Sequence, residues 1–320
     1  MIVLSSGNNP YENLSIEEAL FAACKVGGPL REKMLNRPLL YLWINQPSVI
    51  IGRNQNIWRE CRLDEMKADG VLPVRRDTGG GAVFHDLGNL LFSFIMPESS
   101  GTDYSYGLCV DALKTLGVES RHEGRNDIVA KGRKFSGSAY MNSGGASLHH
   151  GTMLISSDLG RLARYLQPSK AKLQAKGVTS TAARVINLCE IQPEITVDAV
   201  VQALIKAHGG EIHSAEELID FSIVENLSKR RKSWDFLYGA TPPFDVQFEE
   251  RLSFGEVQLH LSLEKGKISS VKVFTDALDT SLAERVQSAL MGAPMESAKL
   301  KAALLPVNEE LACWMERISI

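Results

Sequence analysis

Cysteine is scarce in this sequence and is widely scattered. The chain has 320 residues and five cysteines, and no two of them form a Cys-x-x-Cys pair or a cluster with histidine. The odd count argues against a disulfide framework, and the spacing argues against a zinc site. A reducing compartment fits this usage best. The cysteines are Cys24, Cys61, Cys109, Cys189 and Cys313.

Long apolar runs are also missing. Leu90–Met96 is among the longest, and it is far shorter than the roughly 20 residues that cross a bilayer. Residues 1–4 are apolar, but the N-terminal region has no basic segment followed by a long apolar core. We therefore expect no signal peptide, no association with a membrane and a cytoplasmic location.

The charge of the chain is nearly balanced. The formal net charge is −3, and 23% of the residues are charged, so general attraction to nucleic acid is not expected and only a local basic patch stays open. The apolar fraction of 44% is ordinary for a globular protein. The length allows two domains, or one large domain with a smaller one.

Familiar nucleotide-binding motifs are absent from the glycine-rich segment at 79–81. It lacks the Gly-Lys-Ser/Thr ending of a Walker A loop, and it is not a Gly-x-Gly-x-x-Gly fingerprint. The order of predicted strands and helices does not suggest a regular βαβ array. We therefore predict an α+β protein with mixed, largely antiparallel sheets packed with helices.

Local patterns predict the following elements. Strand-like runs occur at 39–44, 49–51, 82–84, 90–96, 135–140 and 149–155, and a hairpin at 257–274. Helical patterns cover 13–25, with Ser15 and Glu18 at capping-box spacing, then 103–116, 158–166, 196–208, 282–290 and 298–305. A Gly/Pro-rich segment at 238–243 marks a boundary, so we predict a catalytic domain at 1–243 and a small α+β accessory domain at 244–320.

Residues 75–85 are the most informative segment, and they read Arg-Arg-Asp-Thr-Gly-Gly-Gly-Ala-Val-Phe-His. Glycines let the backbone approach a ligand closely and present N–H groups to an anion. Arginine adds a fork of donors that matches phosphate oxygens. The segment therefore indicates a phosphate site, with a glycine hinge beside two solvated arginines as the alternative.

Four other side chains could carry chemistry, and each also has an ordinary structural explanation. Lys134 stands among small residues and could reach across a cleft, although a lone lysine is usually on the surface. Asp127 could bind Mg²⁺ with phosphate oxygens, or it could belong to a turn. His149 and its neighbour alternate on a strand, so only one of the two can face a cleft. Trp43 could line a ligand site or belong to the core.

In combination, the segments resemble lipoate–protein ligase A. The resemblance rests on Trp43, Arg-Arg-x-x-Gly-Gly-Gly-Ala-Val-Phe-His-Asp-Leu-Gly-Asn at 75–89, Gly-Arg-Asn-Asp at 124–127, Arg-Lys-x-Ser-Gly-Ser-Ala-Tyr at 133–140 and His-His-Gly-Thr at 149–152. It continues through 175–180 and 184–188 and resumes at 273–276, so it spans essentially the whole chain. Asp77 departs from what a phosphate site favours, and its direction is left open.

The resemblance implies an enzyme of two steps. ATP and Mg²⁺ would activate lipoate, or octanoate, to lipoyl-AMP with release of pyrophosphate. The lipoyl group would then pass to one lysine of a carrier domain, either in the E2 subunits of 2-oxoacid dehydrogenases or in the glycine-cleavage H protein. Because no acyl-enzyme is needed, the cysteines would have no catalytic role. We expect the enzyme to be a monomer.

The resemblance also implies the roles of individual residues. Lys134 would be the catalytic residue and would contact both the lipoate carboxylate and the α-phosphate. The residues implied to bind ATP or the adenylate are Arg75, Arg76, Gly81, Ala82, Val83, Phe84, Asn126, Asp127 and Lys134. The residues implied to line the lipoate slot are Trp43, Val83, His85, His149 and Lys134, and Asp127 is the implied metal ligand.

Three alternatives remain at this point. The chain could be a lipoyltransferase that uses only preformed lipoyl-AMP. It could be a relative of biotin–protein ligase, which has a similar catalytic fold, although the segments at 85–89 and 133–138 favour the lipoate branch. It could also be a non-catalytic protein that binds a ligand or docks a carrier, which the combination of Lys134 with the arginine–glycine segment argues against.

Overall fold

The structure of the protein is a computed structural model that describes residues 1–124, 126–167, 185–241, 243–275, 277, 279 and 281–318. Within these ranges, no helix is both long enough and apolar enough to cross a membrane. Some positions that contribute to the sequence resemblance lie outside the described residues. They are the segment 175–180 and the single residues Arg125, Arg184 and Asp276.

An eight-stranded mixed sheet is the centre of the protein, in the order β11-β1-β2-β6-β10-β9-β8-β7. Strand β1 pairs in parallel with β11 and β2, and the other pairs are antiparallel. The strands of this sheet are β1 (Ile2–Leu4), β2 (Leu39–Ile44), β6 (Asn89–Pro97), β7 (Arg121–Glu123), β8 (Asp127–Ala130), β9 (Arg133–Ser143), β10 (Ala146–Leu154) and β11 (Ile212–His213).

Two smaller sheets accompany the large one. The first has the order β4-β3-β5 and carries the arginine–glycine segment between β4 and β5. The second is an antiparallel meander, β12-β13-β14, in the C-terminal part. The strands are β3 (Ser48–Ile51), β4 (Leu72–Arg75), β5 (Val83–His85), β12 (Phe244–Leu252), β13 (Gly255–Glu264) and β14 (Lys267–Thr275).

Helices cover the faces of these sheets. In the described residues they are α1 (Pro10–Ala23), α2 (Arg31–Asn36), α3 (Ile57–Glu60), α4 (Leu63–Ala68), α5 (Asp103–Lys114), α6 (Leu159–Tyr165), α7 (Val197–His208), α8 (Ala215–Leu218), α9 (Phe221–Lys232), α10 (Leu282–Leu290), α11 (Ser297–Leu304) and α12 (Glu309–Arg317). Helical turns of other types lie at Glu98–Ser100, Leu188–Glu190 and Asp235–Gly239.

Capping residues explain where several helices begin and end. The Asp158 side chain caps α6, and Thr196 caps α7, which ends at Gly209 in the left-handed region with φ of 64°. Both starts agree with the sequence prediction. The predicted start of α1 was wrong, because Asn9 caps the helix at Pro10, while the Ser15 hydroxyl donates to a backbone carbonyl one turn back.

Three apolar clusters form the core. One lies on the face of the large sheet that α5 and α7 cover, and the second lies on the opposite face, under α1, α2, α8 and α9. The third joins the β4-β3-β5 sheet to the C-terminal strands and helices. Because side chains alternate along a strand, Ile50 joins the second cluster while Val49 and Ile51 join the third. The β4-β3-β5 sheet therefore lies between the second and the third cluster.

The architecture confirms the predicted fold class. Antiparallel pairs predominate in the large sheet, helices pack on it, and a small α+β part with a three-stranded sheet lies at the C-terminal end. The third apolar cluster contains residues of both parts, such as Phe84 of β5 and Met315 of α12, so the two parts share a core. The division at residue 243 stays a prediction.

Candidate active site

Arg76 holds the glycine loop from inside. It follows β4 and is buried, and its guanidinium donates to the carbonyls of Ile50 (3.1 Å), Gly79 (2.6 Å) and Gly81 (2.8 Å) and to the hydroxyl of Thr78 (3.0 Å). Burial lowers the pKa of Arg76 to about 10, so the group stays charged at neutral pH. The loop therefore wraps around a fixed positive charge.

Two glycines make this wrapping possible. Gly80 has a φ of 97°, which side chains with a Cβ rarely adopt, and a Cβ there would lie 2.8 Å from the Arg76 guanidinium. A Cβ on Gly52 would lie 2.2 Å from the Gly80 carbonyl oxygen. Gly79 and Gly81 have open space around the position of a Cβ, and both are exposed. The outer surface of the loop is therefore accessible to a ligand.

Arg75 points the other way and lies in a different environment. Its guanidinium donates to carbonyls of two segments, at 52–55 and at 236–237, and to Thr241 Oγ1 (3.0 Å). Alternation along the strand explains the difference, because neighbouring residues project to opposite faces. The structure therefore does not bring Arg75 together with the glycine loop, and its predicted contact with a nucleotide stays a prediction.

Asp77 turns away from the glycine loop. Its carboxylate accepts a hydrogen bond from the buried guanidinium of Arg231, and Arg230 lies 3.6 Å from the other oxygen. Glu18 of α1 pairs with the same two arginines at 2.6 and 2.8 Å. The negative charge next to the loop is thus neutralised by the last turn of α9.

Lys134 of β9 and Asp127 of β8 form an ion pair. The Lys134 Nζ lies 2.7 Å from an Asp127 carboxylate oxygen, and the two side chains are 35% and 34% exposed. The lysine side chain lies over Gly137, since a Cβ there would come within 2.5 Å of Nζ. Strands β8 and β9 thus present an accessible ammonium beside a carboxylate.

Cross-strand pairing relates this ion pair to the rest of the sheet. Asp127 faces Gly137 across β8 and β9, and the Gly137 N–H donates to Thr152 Oγ1 of β10 at 3.3 Å. His150 is two residues before Thr152 and therefore lies on the same face. Asn126 is held at the start of this region because its side chain donates to the Ser138 carbonyl at 3.0 Å.

The two histidines of β10 lie on opposite faces. His150 contacts the hydroxyl of Thr78 at 2.8 Å and so connects the sheet to the arginine–glycine segment. His149 lies on the other face, among the rings of Phe92, Tyr106 and Tyr140, with Nδ1 bonded to Ser105. The structure therefore brings His150, and not the predicted His149, together with the glycine loop.

Alternation also divides the residues of β5. His85 is buried and its Nδ1 lies 3.0 Å from the Asn45 amide, while Val83 packs on the cluster under α1. Ala82 and Phe84 belong to the third cluster, and Phe84 lies 5.5 Å from the Tyr165 ring. His85 and Val83 thus share the Arg76 side of the small sheet, and Ala82 and Phe84 face away from it.

Burial keeps His85 and His149 neutral. It is the largest cause that lowers the pKa of each to about 3, and the nearby charge of Arg76 adds to it for His85. In each ring Nε2 has no hydrogen-bond partner among the described residues. Both rings are uncharged at neutral pH.

A buried carboxylate that the sequence analysis did not single out connects these groups. Glu17 of α1 accepts from Ser93 Oγ at 2.5 Å, and its carboxylate lies 2.8 Å from His150 Nδ1. Trp43, which stacks on Tyr41, donates its indole N–H to the same serine at 3.1 Å. A charged residue among the buried positions 13–17 of a helix was the available signal.

The described residues contain no group of three or more His, Cys, Asp or Glu side chains that could hold a metal ion. Asp127 offers an accessible carboxylate next to Lys134. Cys24, Cys61 and Cys109 are buried, and burial raises the pKa of Cys24 and of Cys61 to about 12, which disfavours a thiolate.

Comparison with known proteins gives matches over the whole described fold. The lipoyl protein ligase A/B catalytic domain family matches residues 9–209, and the bacterial lipoate protein ligase C-terminus family matches residues 241–318. LipL1 of P. falciparum, solved in complex with lipoate, is 31% identical with a TM-score of 0.66, and the match covers 99% of each chain.

Two further solved structures are similar over three quarters of this chain. One belongs to a bipartite lipoate protein ligase from Thermoplasma acidophilum, described with its E2 lipoyl domain. It is 28% identical with a TM-score of 0.63, and the match covers 75% of this chain and 96% of that one. The other is lipoate-protein ligase A bound with ATP, 28% identical with a TM-score of 0.63, over 75% and 98% of the two chains.

Proposed function

Because this chain belongs to the lipoyl protein ligase A/B family, we propose that it is an ATP-dependent lipoate–protein ligase that forms lipoyl-AMP. The substrates are lipoate, or octanoate, and ATP. Similar solved structures bound to lipoate and to ATP support this choice of substrates. The acceptor is a lysine of a lipoyl carrier domain.

One observation carries the proposal. Lys134 offers an accessible ammonium 2.7 Å from Asp127, on a sheet face that His150 connects to the arginine–glycine loop. In the reaction, the lipoate carboxylate must approach an α-phosphate that is also negatively charged. Two cations can offset this repulsion, the accessible Lys134 and the buried Arg76 inside the loop. The ion pair holds the lysine in place before substrate arrives.

In the first step, a lipoate carboxylate oxygen attacks the α-phosphorus of ATP, and the bond to pyrophosphate breaks. Lys134 exchanges Asp127 for the carboxylate and the α-phosphate and stabilises the charge that develops between them. Arg76 adds the field of a buried charge and keeps Gly79–Gly81 folded, so that the loop can receive the nucleotide. Val83, His85 and Trp43 contribute to the wall along the acyl chain.

Asp127 is suited to hold Mg²⁺ together with phosphate oxygens and water. A single carboxylate is a sufficient protein ligand for this ion when phosphates supply the other oxygens. The metal would reduce the negative charge on the phosphates. Asn126, which precedes Asp127, would position the same strand end.

In the second step, the ε-amine of the carrier lysine attacks the acyl carbon of lipoyl-AMP, the C–O bond to AMP breaks, and an amide forms. The amine loses a proton to water, and AMP leaves with the electron pair of the broken C–O bond on its phosphate oxygen. No cysteine takes part in this step; the thiols of Cys24, Cys61 and Cys109 are buried, Cys189 is half-buried and Cys313 is exposed. The proposed carriers are E2 lipoyl domains and the glycine-cleavage H protein, and the proposed enzyme is a cytoplasmic monomer.

Lipoate-dependent ATP–pyrophosphate exchange tests the first step without a carrier. We expect exchange that requires lipoate and Mg²⁺. A protein that shows no exchange, yet transfers the lipoyl group from supplied lipoyl-AMP, would instead be a lipoyltransferase. Exchange that depends on biotin would indicate the biotin–protein ligase reaction, and a protein inactive in all three assays would refute an enzymatic function.

A further inference from the structure

A chain of hydrogen bonds connects Trp43 to Arg76 through the interior of the protein. They run from Trp43 to Ser93, from Ser93 to Glu17, from Glu17 to His150, from His150 to Thr78, and from Thr78 to Arg76. We call these six residues the buried relay. Each is at most 9% exposed. Because water has little access to such positions, each hydrogen-bond donor of the relay must find its acceptor inside the protein.

The direction of each hydrogen bond follows from the ends of the buried relay. The Trp43 indole can only donate, so Ser93 accepts from it and directs its own proton to Glu17. At the other end the Arg76 guanidinium can only donate, so Thr78 accepts from it. In the part of the chain that the structure describes, the remaining partner of the Thr78 hydroxyl is His150 Nε2, which must therefore accept.

An accepting Nε2 requires that the proton of His150 be on Nδ1. Glu17 lies 2.8 Å from Nδ1, so its carboxylate accepts a hydrogen bond from the Nδ1–H group. With both ring nitrogens protonated, Thr78 would face two donors and its own hydroxyl would have no acceptor among the described residues. Among the described residues, His85 and His149 interact electrostatically with His150, and Arg76 is separated from it by the Thr78 hydroxyl. None of these three is bonded to a His150 ring nitrogen.

We propose that Glu17 is a positioning residue that fixes His150 as the neutral Nδ1–H tautomer, and that through Ser93, His150 and Thr78 it sets the positions of Trp43 and Arg76 on the two walls of the ligase site. The effect on substrates rests on the proposed function. The tautomer does not, because it follows from the hydrogen bonds alone. Glu17 touches no substrate and acts through the groups that line the site.

Ring-labelled histidine NMR tests the tautomer. In the wild-type protein we expect His150 Nε2 to have the shift of an unprotonated nitrogen and Nδ1 that of a protonated one, with the signals assigned by their loss in His150→Asn. Glu17→Ala should release the ring to a mixture of tautomers or to Nε2–H. A proton on Nε2 in the wild type, or an unchanged tautomer in Glu17→Ala, would overturn the proposal.

Thr78→Val tests the effect of Glu17 on the His150 ring separately from that of Thr78, the other hydrogen-bond partner of the ring. Valine keeps the shape of threonine and removes the hydroxyl, so Nε2 loses its donor while Nδ1 keeps Glu17. We expect the Nδ1–H tautomer to persist in Thr78→Val. A change of tautomer in this variant would show that Thr78, and not Glu17, sets the state of the ring. This arm decides the question even if Glu17→Ala fails to fold.

Exchange kinetics test the consequence for substrates. We expect Glu17→Ala to raise KM for ATP and for lipoate about tenfold, because a lost buried hydrogen-bond partner loosens both walls, while kcat changes less than about threefold. Glu17→Gln keeps an oxygen for Ser93 and for Nδ1–H and should restore both KM values to within about threefold.

The matched control is Glu12→Gln, an exposed position of the same helix, which should behave as wild type. Lower kcat at unchanged KM in Glu17→Ala would indicate a smaller folded fraction and would contradict a positioning role. A wild-type protein without any exchange would refute the proposed function, whereas the tautomer measurement would still decide the role of Glu17.

Discussion

The two cations of the candidate site are built in different ways. Arg76 is buried, and protein carbonyls and a hydroxyl accept from its guanidinium. Lys134 is 35% exposed and has one carboxylate partner, Asp127, which is equally accessible. One cation is fixed by the fold before any ligand arrives, and the other can exchange its partner for a substrate.

This difference predicts two kinds of variant. Substitutions in the fixed part should lower stability together with substrate binding, because the same hydrogen bonds serve both. Substitutions in the accessible part should change turnover and leave stability nearly unchanged, since exposed ion pairs contribute little to folding. The predictions below use that contrast, from the largest expected effect to the smallest.

Lys134→Ala should lower lipoate-dependent exchange by about a thousandfold or more, because it removes the charge that offsets the repulsion between carboxylate and α-phosphate. The melting temperature should stay within about 2 °C of the wild-type value. Lys67→Ala, at an exposed position of α4, is the matched control and should be fully active. Normal exchange in folded Lys134→Ala would remove the lysine from the chemistry.

Arg76→Ala should lower the free energy of unfolding by about 3 kcal/mol and raise KM for ATP about tenfold. The reason is that the carbonyls of Gly79 and Gly81 lose their donor and the loop loses its fixed charge. Arg76→Lys should recover little of either, because an ammonium cannot replace a fork of donors. Chemical denaturation and ATP titration measure the two effects. A stability loss with unchanged KM would separate the loop from nucleotide binding.

The buried part of the site includes His85, and we expect acid to lower the free energy of unfolding through this residue. His85 has a pKa of about 3 in the folded protein because it is buried, against an ordinary value of 6.5. The unfolded chain therefore binds more protons, so this contribution to stability is complete above pH 6.5 and is lost as pH falls from 6.5 toward 3, by about 1.4 kcal/mol for each pH unit.

Denaturation midpoints at pH 7.5 and 5.5 measure this loss. We expect the difference between the two midpoints to be smaller in His85→Gln than in the wild type, because glutamine does not titrate. An identical difference in both proteins would mean that His85 is charged, or accessible to solvent, in the folded state.

Asp127→Asn should have the smallest effect on folding and a moderate effect on exchange. Loss of an exposed ion pair should change the free energy of unfolding by less than about 1 kcal/mol. Exchange should fall several-fold and require more Mg²⁺, because the carboxylate that we assign to the metal is gone. Unchanged Mg²⁺ dependence would leave Asp127 only the task of holding Lys134.

Sequence patterns predicted the fold class and most long elements because local signals decide them. The caps at Asp158 and Thr196 and the alternation along the C-terminal hairpin are examples. Elements without such signals were missed, including β1, which is three residues long, and α2, which has no side-chain cap. The helices α9 and α12 were missed as well, although Asp220 and Asn308 cap them. The start of α1 was displaced because two helix signals, Asn9-Pro10 and Ser15-x-x-Glu18, lie close together.

The motifs of the site could be predicted from the sequence, but the faces to which their side chains project could not. Alternation shows that Arg75 and Arg76 must face opposite sides, as must His149 and His150, but the sequence does not show which side is the site. That choice depends on long-range partners, such as Glu17 for His150 and the 236–237 carbonyls for Arg75. Asp77 found its partners on α9, more than 150 residues away along the chain.

Intact mass spectrometry of an apo E2 lipoyl domain, incubated with this protein, ATP, Mg²⁺ and lipoate, tests the central claim most directly. We predict that one lysine of the domain gains a lipoyl group, that omission of ATP abolishes the gain, and that Lys134→Ala abolishes it as well. A domain that stays unmodified with ATP and lipoate would contradict the proposed ligase.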